Sequence, residues 1–141
     1  MMKRFYLLLP VIVMVMMTSC KKEDITNITV SEAQGLVPGN WKVNYYYDNS
    51  NGVSSEFDGY TFSFADDGTV TATFSGTDYL GLWTVKSSDD DPNYDKEIEI
   101  TISGTTAMDD LDGKWLITEI SETVMKFKDD TPSEEIHFEK I

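Results

Sequence analysis

From Trp41 onward, apolar and polar residues alternate with a period of two through eight short stretches. WKVNYYY places Trp41, Val43, Tyr45 and Tyr47 on one face, and YTFSF places Tyr60, Phe62 and Phe64. TVTATF sets Val70, Ala72 and Phe74 against Thr69, Thr71 and Thr73. YLGLWTV gives Tyr79, Trp83 and Val85; EIEITI gives Ile98, Ile100 and Ile102; WLI gives Trp115 and Ile117. TVMKF gives Met125 and Phe127, and EIHFEK gives Ile136 and Phe138. This alternation marks half-buried strands, and the residues are of the β-branched and aromatic types that strands favour. Turn-forming clusters separate the stretches: DNSNG (48–52), DDG (66–68), SGT (75–77), SSDDDPN (87–93) and DDTPS (129–133). They read as hairpins. One longer link, GTTAMDDLDG (104–113), has room for a helical turn. Strands joined in order by short turns predict an antiparallel meander. Closing that meander into a barrel removes its exposed edges.

The polar face is Thr, Ser, Glu and Lys. Were it to line a lumen, the apolar face would meet lipid, as in an outer-membrane barrel. A spanning strand needs roughly 9–11 residues, and several of these stretches have only about five to seven. The apolar face is therefore expected inside. The fold class is all-β: an eight-stranded antiparallel up-and-down barrel behind an N-terminal signal segment.

All three Trp sit two residues after a Gly: GNWKV (39–43), GLWTV (81–85) and GKWLI (113–117). A Gly at a strand entrance permits a sharp bend or a close backbone approach. The Trp that follows lands on the inner face near a barrel end, where its ring can plug the opening. Trp41, Trp83 and Trp115 are thus the expected closure residues. The first copy follows SEAQGLVPG, in which Ser31 and Gln34 have capping-box spacing.

GNWKV after a short helical turn resembles the Gly–x–Trp opening of the lipocalins. Its recurrence, with TFSFADDGTV between copies, resembles the lipocalin-like lipoproteins of the Bacteroidetes. The resemblance spans about residues 36–141 and implies a calycin barrel. Other lipocalin motifs are missing, so a transport role does not follow.

The N-terminus tells a second story. Lys3 and Arg4 precede an apolar run from Phe5 to Met17, then Thr18, Ser19 and Cys20. This is signal-peptide grammar, and the run is too short to span a bilayer, which takes roughly 20 residues. Cys20 is the chain's single Cys, so no intrachain disulfide forms. MTSC resembles the lipobox of bacterial lipoproteins. The resemblance implies a lipidated Cys20, palmitate among its acyl chains, as the mature N-terminus of a cell outer membrane lipoprotein. The expected organisation is a signal peptide over 1–19, a tether over 20–35 and the barrel over 36–141. KKEDITN after Cys20 resembles a surface-export signal and reads equally well as a solvated tether. The membrane face stays open.

The chain carries a net charge of −14. Loss of residues 1–19 removes Lys3 and Arg4 and no acid, leaving nine basic and 25 acidic residues. Nucleic acid and anionic surfaces repel such a protein.

Catalytic equipment is sparse. The single His, His137, alternates with Ile136 and Phe138 and should face water beside Glu135 and Glu139. No nucleophile elbow, Cys/His cluster or phosphate loop is present. The expectation is a non-enzyme without a cofactor. Asp89, Asp91, Asn93 and Asp95 recur at calcium-loop spacing, but Pro92 and Tyr94 stand where such a loop needs flexibility. They are a weak metal candidate, and Asp109, Asp110 and Asp112 a weaker one. Two readings of the interior remain. It is filled by side chains and serves as a scaffold whose loops touch unknown protein partners. Or it keeps a cavity for one small apolar or amphipathic ligand, lined by Tyr45, Tyr47, Tyr60, Phe62, Phe74 and Tyr79.

Overall fold

The computed structural model describes residues 28–53, 55–129 and 133–141. The signal segment, Cys20 and most of the tether lie outside these residues, as does the centre of the DDTPS turn. The elements in order are α1 (Val30–Leu36), β1 (Gly39–Asp48), β2 (Gly52–Val53), β3 (Thr61–Phe64), β4 (Thr69–Phe74) and β5 (Thr77–Asp91). They continue with β6 (Tyr94–Thr101), α2 (Thr106–Leu111), β7 (Gly113–Ile120), β8 (Val124–Lys128) and β9 (Glu134–Lys140).

The expected barrel is present. Strands β1 and β3 to β9 pair antiparallel in sequence order, and β9 closes onto β1 through registers such as Val43↔Phe138 and Asp48↔Glu134. The short β2 adds a ribbon to the end of β1. Eight strands thus leave no free edge except where β1 parts from β3. Beyond Trp41↔Phe62 the two strands separate, and Phe57 and Tyr60 line the groove between them.

Antiparallel order puts the two helices at opposite ends. β1 starts at α1; β7, running the other way, starts at α2. Helix α1 is short but well fixed. Thr29 caps it, accepting from the backbone N of Glu32 at 3.1 Å, while Glu32 reaches back to Thr29 N at 2.6 Å. This reciprocal pair, rather than the Ser31–Gln34 pair, is the capping box. Ala33 and Val37 are fully buried, and Gln34 accepts the Val85 N–H at 2.9 Å. Helix α1 thus packs against the barrel whose first strand starts at Gly39.

The core is the apolar stripe of the strands. Phe138 lies at its centre, with ring centroids 5.4 Å from Phe62, 6.0 Å from Phe64 and 5.6 Å from Phe127. Ile98, Ile100, Ile117, Met125 and Ile136 complete the middle, each essentially without solvent contact. Burying each such side chain contributes roughly 1.5–3 kcal/mol. Buried rings in mutual contact occupy the middle of the barrel.

Two expectations need correction. The register of β1 against β9 shifts between Val43 and Tyr45, a bulge that inverts the alternation beyond it. Tyr46 is buried, and Tyr45 and Tyr47 point outward. Tyr45 lies 4.6 Å from His137 on the outer wall, and the Tyr47 hydroxyl meets Asn49. Second, SSDDDPN is mostly strand. β5 runs through Asp91, and only Pro92 and Asn93 turn.

Candidate functional site

The three Trp rings are all interior, for two different reasons. Gly39 and Gly113 open β1 and β7 with φ of +141° and +138°, which L side chains rarely adopt. The chain can thus leave a helix and fold its Trp back beneath that helix. Trp41 Nε1 donates to Val37 O at 2.8 Å, and Trp115 Nε1 donates to Leu111 O at 2.9 Å. Each bond satisfies a carbonyl at a helix C-terminus. The copy at Gly81 sits inside β5 and serves close approach. A Cβ there would lie 2.4 Å from Thr101 O and 2.9 Å from Ile102 Cβ. Trp83 ties the β3–β4 turn, donating to Ala65 O and Thr69 O at 3.1 and 3.0 Å. Trp41 and Trp83 thus seal the α1 end, and Trp115 lies at the α2 end.

The α2 end gathers most of the expected aromatic residues. Tyr60 stacks on Phe74 at 4.7 Å and on Phe62 at 6.1 Å. Tyr79 packs against Gly104, where a Cβ would come within 2.6 Å of its ring. Phe74 is 41% exposed and forms the lip. Tyr60, Phe62 and Phe74 therefore form one run of ring contacts, Tyr79 packs on Gly104, and Tyr45 and Tyr47 lie on the outer wall. In their place Tyr46 enters the core, 4.8 Å edge-on to Phe57.

The Tyr46 hydroxyl is buried and has no hydrogen-bond partner among the described residues. Burial pushes its pKa above the usual tyrosine range, and Glu134, Asp110, Asp48 and Glu56 push it further. These acids come from four segments: β9, α2, the end of β1 and the link after β2. Burial, and then the Asp110 side chain and the other neighbouring acids, raise the Glu56 pKa. Burial also raises Glu134, helped by Asp129, Asp110 and Asp48. The spacing of these acids along the chain gives no hint of the cluster. Asp110 alone belongs to an acidic run, with Asp109 and Asp112.

The other candidates are placed plainly. Asp91 accepts from Asn93 N at 2.8 Å and from Lys128 Nζ at 3.0 Å, and Asp95 pairs with Lys96 at 2.6 Å. Asp89 and Asn93 do not join them into a metal site. Among the described residues no group of three or more His, Cys, Asp or Glu is arranged for a metal ion. His137 is on the outer wall, 2.5 Å from Glu135.

The fold is a closed antiparallel barrel stoppered by a helix and Trp at each end. That is the lipocalin-like architecture implied by the strand count and the Gly–x–Trp pattern. It is similar to a solved lipocalin-like protein from Bacteroides uniformis, with TM-score 0.54, 17% identity, and coverage of 76% of this chain and 100% of that one. It is also similar to a DUF4847 family protein from Bacteroides vulgatus, with TM-score 0.52, 14% identity, and coverage of 75% and 94%. No family model matches the sequence, and neither does any curated protein. The likeness is one of fold.

Proposed function

We propose that this protein is a lipid-anchored envelope barrel that binds a small amphipathic molecule at its α2 end and performs no catalysis. The carrying observation is the Tyr46 hydroxyl, buried without a partner among the described residues and reached through Phe57 from the aromatic lip of Tyr60 and Phe74. A buried hydroxyl left unpaired costs roughly 1–3 kcal/mol, and a polar ligand group can recover it. The rings of Phe62, Phe64, Phe127 and Phe138 occupy the middle of the barrel, so the proposed site is a shallow mouth.

The test is titration of the full-length chain with small aromatic alcohols, acids and amines, read by calorimetry and by Trp115 fluorescence. Saturable binding that weakens in Phe74→Ala supports the mouth. No heat and no quenching across the panel refutes it and favours the scaffold reading. That second reading has its own support: Leu80 and Leu82 project from the outer wall, 74% and 60% exposed, beside Gly81. The envelope address rests on Cys20. Replacing it by Ala should abolish palmitate labelling and membrane retention; a Cys20→Ala protein that stays membrane-bound and processed refutes the anchor.

A further inference from the structure

We propose that the opening between β1 and β3 takes an extended, uncharged peptide segment of a partner protein, which adds to β1 at Val43 as a short strand. This goes beyond the mouth reading and stands without it. Its first support is the direction of the β1 main chain. Asn40 O accepts from Ile141 N at 3.0 Å, so Asn40 and Lys42 turn their main-chain groups toward β9. In an antiparallel strand the intervening residues turn theirs to the opposite side. Trp41 pairs there with Phe62, and Val43 comes next. Its partner in a continued ladder would be Tyr60. Pairing stops at Trp41↔Phe62, however, and Tyr60 N donates to Phe57 O at 3.2 Å instead. Among the described residues no turn, loop or side-chain group takes the place of Tyr60 on Val43. The N–H and C=O of Val43 therefore face the opening without a strand to meet them.

Shape and charge then select the occupant. A hollow of about 370 Å³ is lined by Val43, Phe57 and Tyr60, and one of about 340 Å³ adjoins it, with Thr61 and Ile141 lining both. The two make one trough along the seam where β3 leaves β1, which suits an extended chain better than a compact ligand. The chain as a whole carries a net charge of −14, yet the first hollow is lined by one base, Lys42, and one acid, Asp58. No charged side chain lines the second. The trough thus favours an uncharged main chain over an ion. A peptide strand brings a C=O for the Val43 N–H and an N–H for the Val43 C=O, and sheet edges recognise peptides in this way. Its alternate side chains have Phe57 and Tyr60, both buried, to lie on. β2 already covers β1 at Tyr47 and Asp48. The open edge is therefore short, which limits the indiscriminate sheet pairing that long edges invite.

The experiment uses the full-length chain and four capped pentapeptides, acetyl-Thr-x-Thr-x-Thr-amide with Val, Leu, Phe or Tyr at x, read by calorimetry and by amide hydrogen exchange. In the free protein the Val43 amide should exchange fast while that of Lys42, bonded to β9, is protected. At least one peptide should bind and protect Val43 in proportion to the fraction bound. The same peptide with its central amides N-methylated should bind about tenfold more weakly, as the loss of two main-chain hydrogen bonds predicts. Thr61→Trp puts a large ring at an exposed position lining both hollows. It should block the peptide and leave both the thermal melt and Lys42 protection unchanged. Phe74→Ala, which tests the mouth, should leave peptide binding intact. Slow Val43 exchange in the free protein overturns the open edge. Silence from all four peptides overturns the peptide assignment, whatever small aromatic ligands do at the mouth. Full-strength binding of the N-methylated peptide, or binding that leaves Val43 unprotected, overturns strand addition. Protection of Val43 that grows with protein concentration alone makes the occupant a second copy and overturns the separate partner.

Discussion

The hydroxyl of Tyr60 lies 3.0 Å from that of Thr105, the residue that also caps α2 by accepting from Met108 N at 3.2 Å. One threonine thus joins the aromatic lip to the helix that stoppers the barrel. Removing it breaks both contacts. Thr105→Ala should cost about 1–2 kcal/mol in urea unfolding, as caps do, and Tyr60→Phe about 0.5–1.5. The double variant should fall short of the sum, because the two changes remove a shared bond. Strict additivity would show that the hydroxyl contact carries no energy.

The Gly–x–Trp copies should separate by mechanism. Gly113→Ala meets no atom within 4 Å, so its cost is backbone strain at φ +138°, of order 1–3 kcal/mol. Gly81→Ala drives a methyl into Thr101 O and Ile102, and backbone cannot yield as a flexible side chain can. It should be the more damaging of the two, by overpacking. Equal unfolding midpoints for the two variants would contradict this division.

Phe138→Ala tests the filled interior. Its ring meets three other Phe rings, so truncation should cost about 3–5 kcal/mol and leave an apolar void. Such voids stay dry and accept benzene or xenon. Benzene should therefore raise the melting temperature of the variant and leave the parent unchanged. A parent protein stabilised by benzene would show that a cavity already exists.

What the sequence reveals of this molecule is the part governed by period-two burial. Phe62, Phe64, Ile98, Ile100, Phe127 and Phe138 alternate cleanly, and each lies inside. β1 defeats the same reasoning because YYY offers two registers of equal hydrophobicity. A bulge after Val43 chooses the second, and a one-residue slip exchanges every face beyond it. The Gly–x–Trp motif reveals where the Trp rings go, yet it hides that Gly39 and Gly113 are conformational while Gly81 is steric. Least legible is the acid cluster. Asp48, Glu56, Asp110 and Glu134 are spread along most of the barrel sequence, and only closure of β9 onto β1 and the seating of α2 unite them. The surrounding chain is so acidic that no local composition distinguishes them.

The same acids set the response to pH. Glu56 and Glu134 have folded pKa values above their ordinary 4.5, chiefly through burial. Above pH 4.5 the folded protein therefore holds more protons at these sites than the unfolded chain, and its stability falls as pH rises. Glu32, Asp67, Asp91 and Glu99 behave oppositely. Hydrogen bonds hold their values below the ordinary 4.5 or 3.8, so the stability they confer is present above those values and is lost as pH falls further. The two windows meet near the ordinary carboxylate range, and the melting temperature should peak at about pH 5. Self-repulsion of the acidic chain also lowers stability toward neutral pH, so a charge-matched control is needed. Glu134→Gln should raise the melting temperature at pH 7.5 and flatten the slope between pH 5 and 7.5. Glu122→Gln, removing an exposed acid from the β7–β8 turn, should raise it less and leave that slope steeper. Identical profiles for the two variants would mean that net charge alone, and not the buried cluster, governs the alkaline limb.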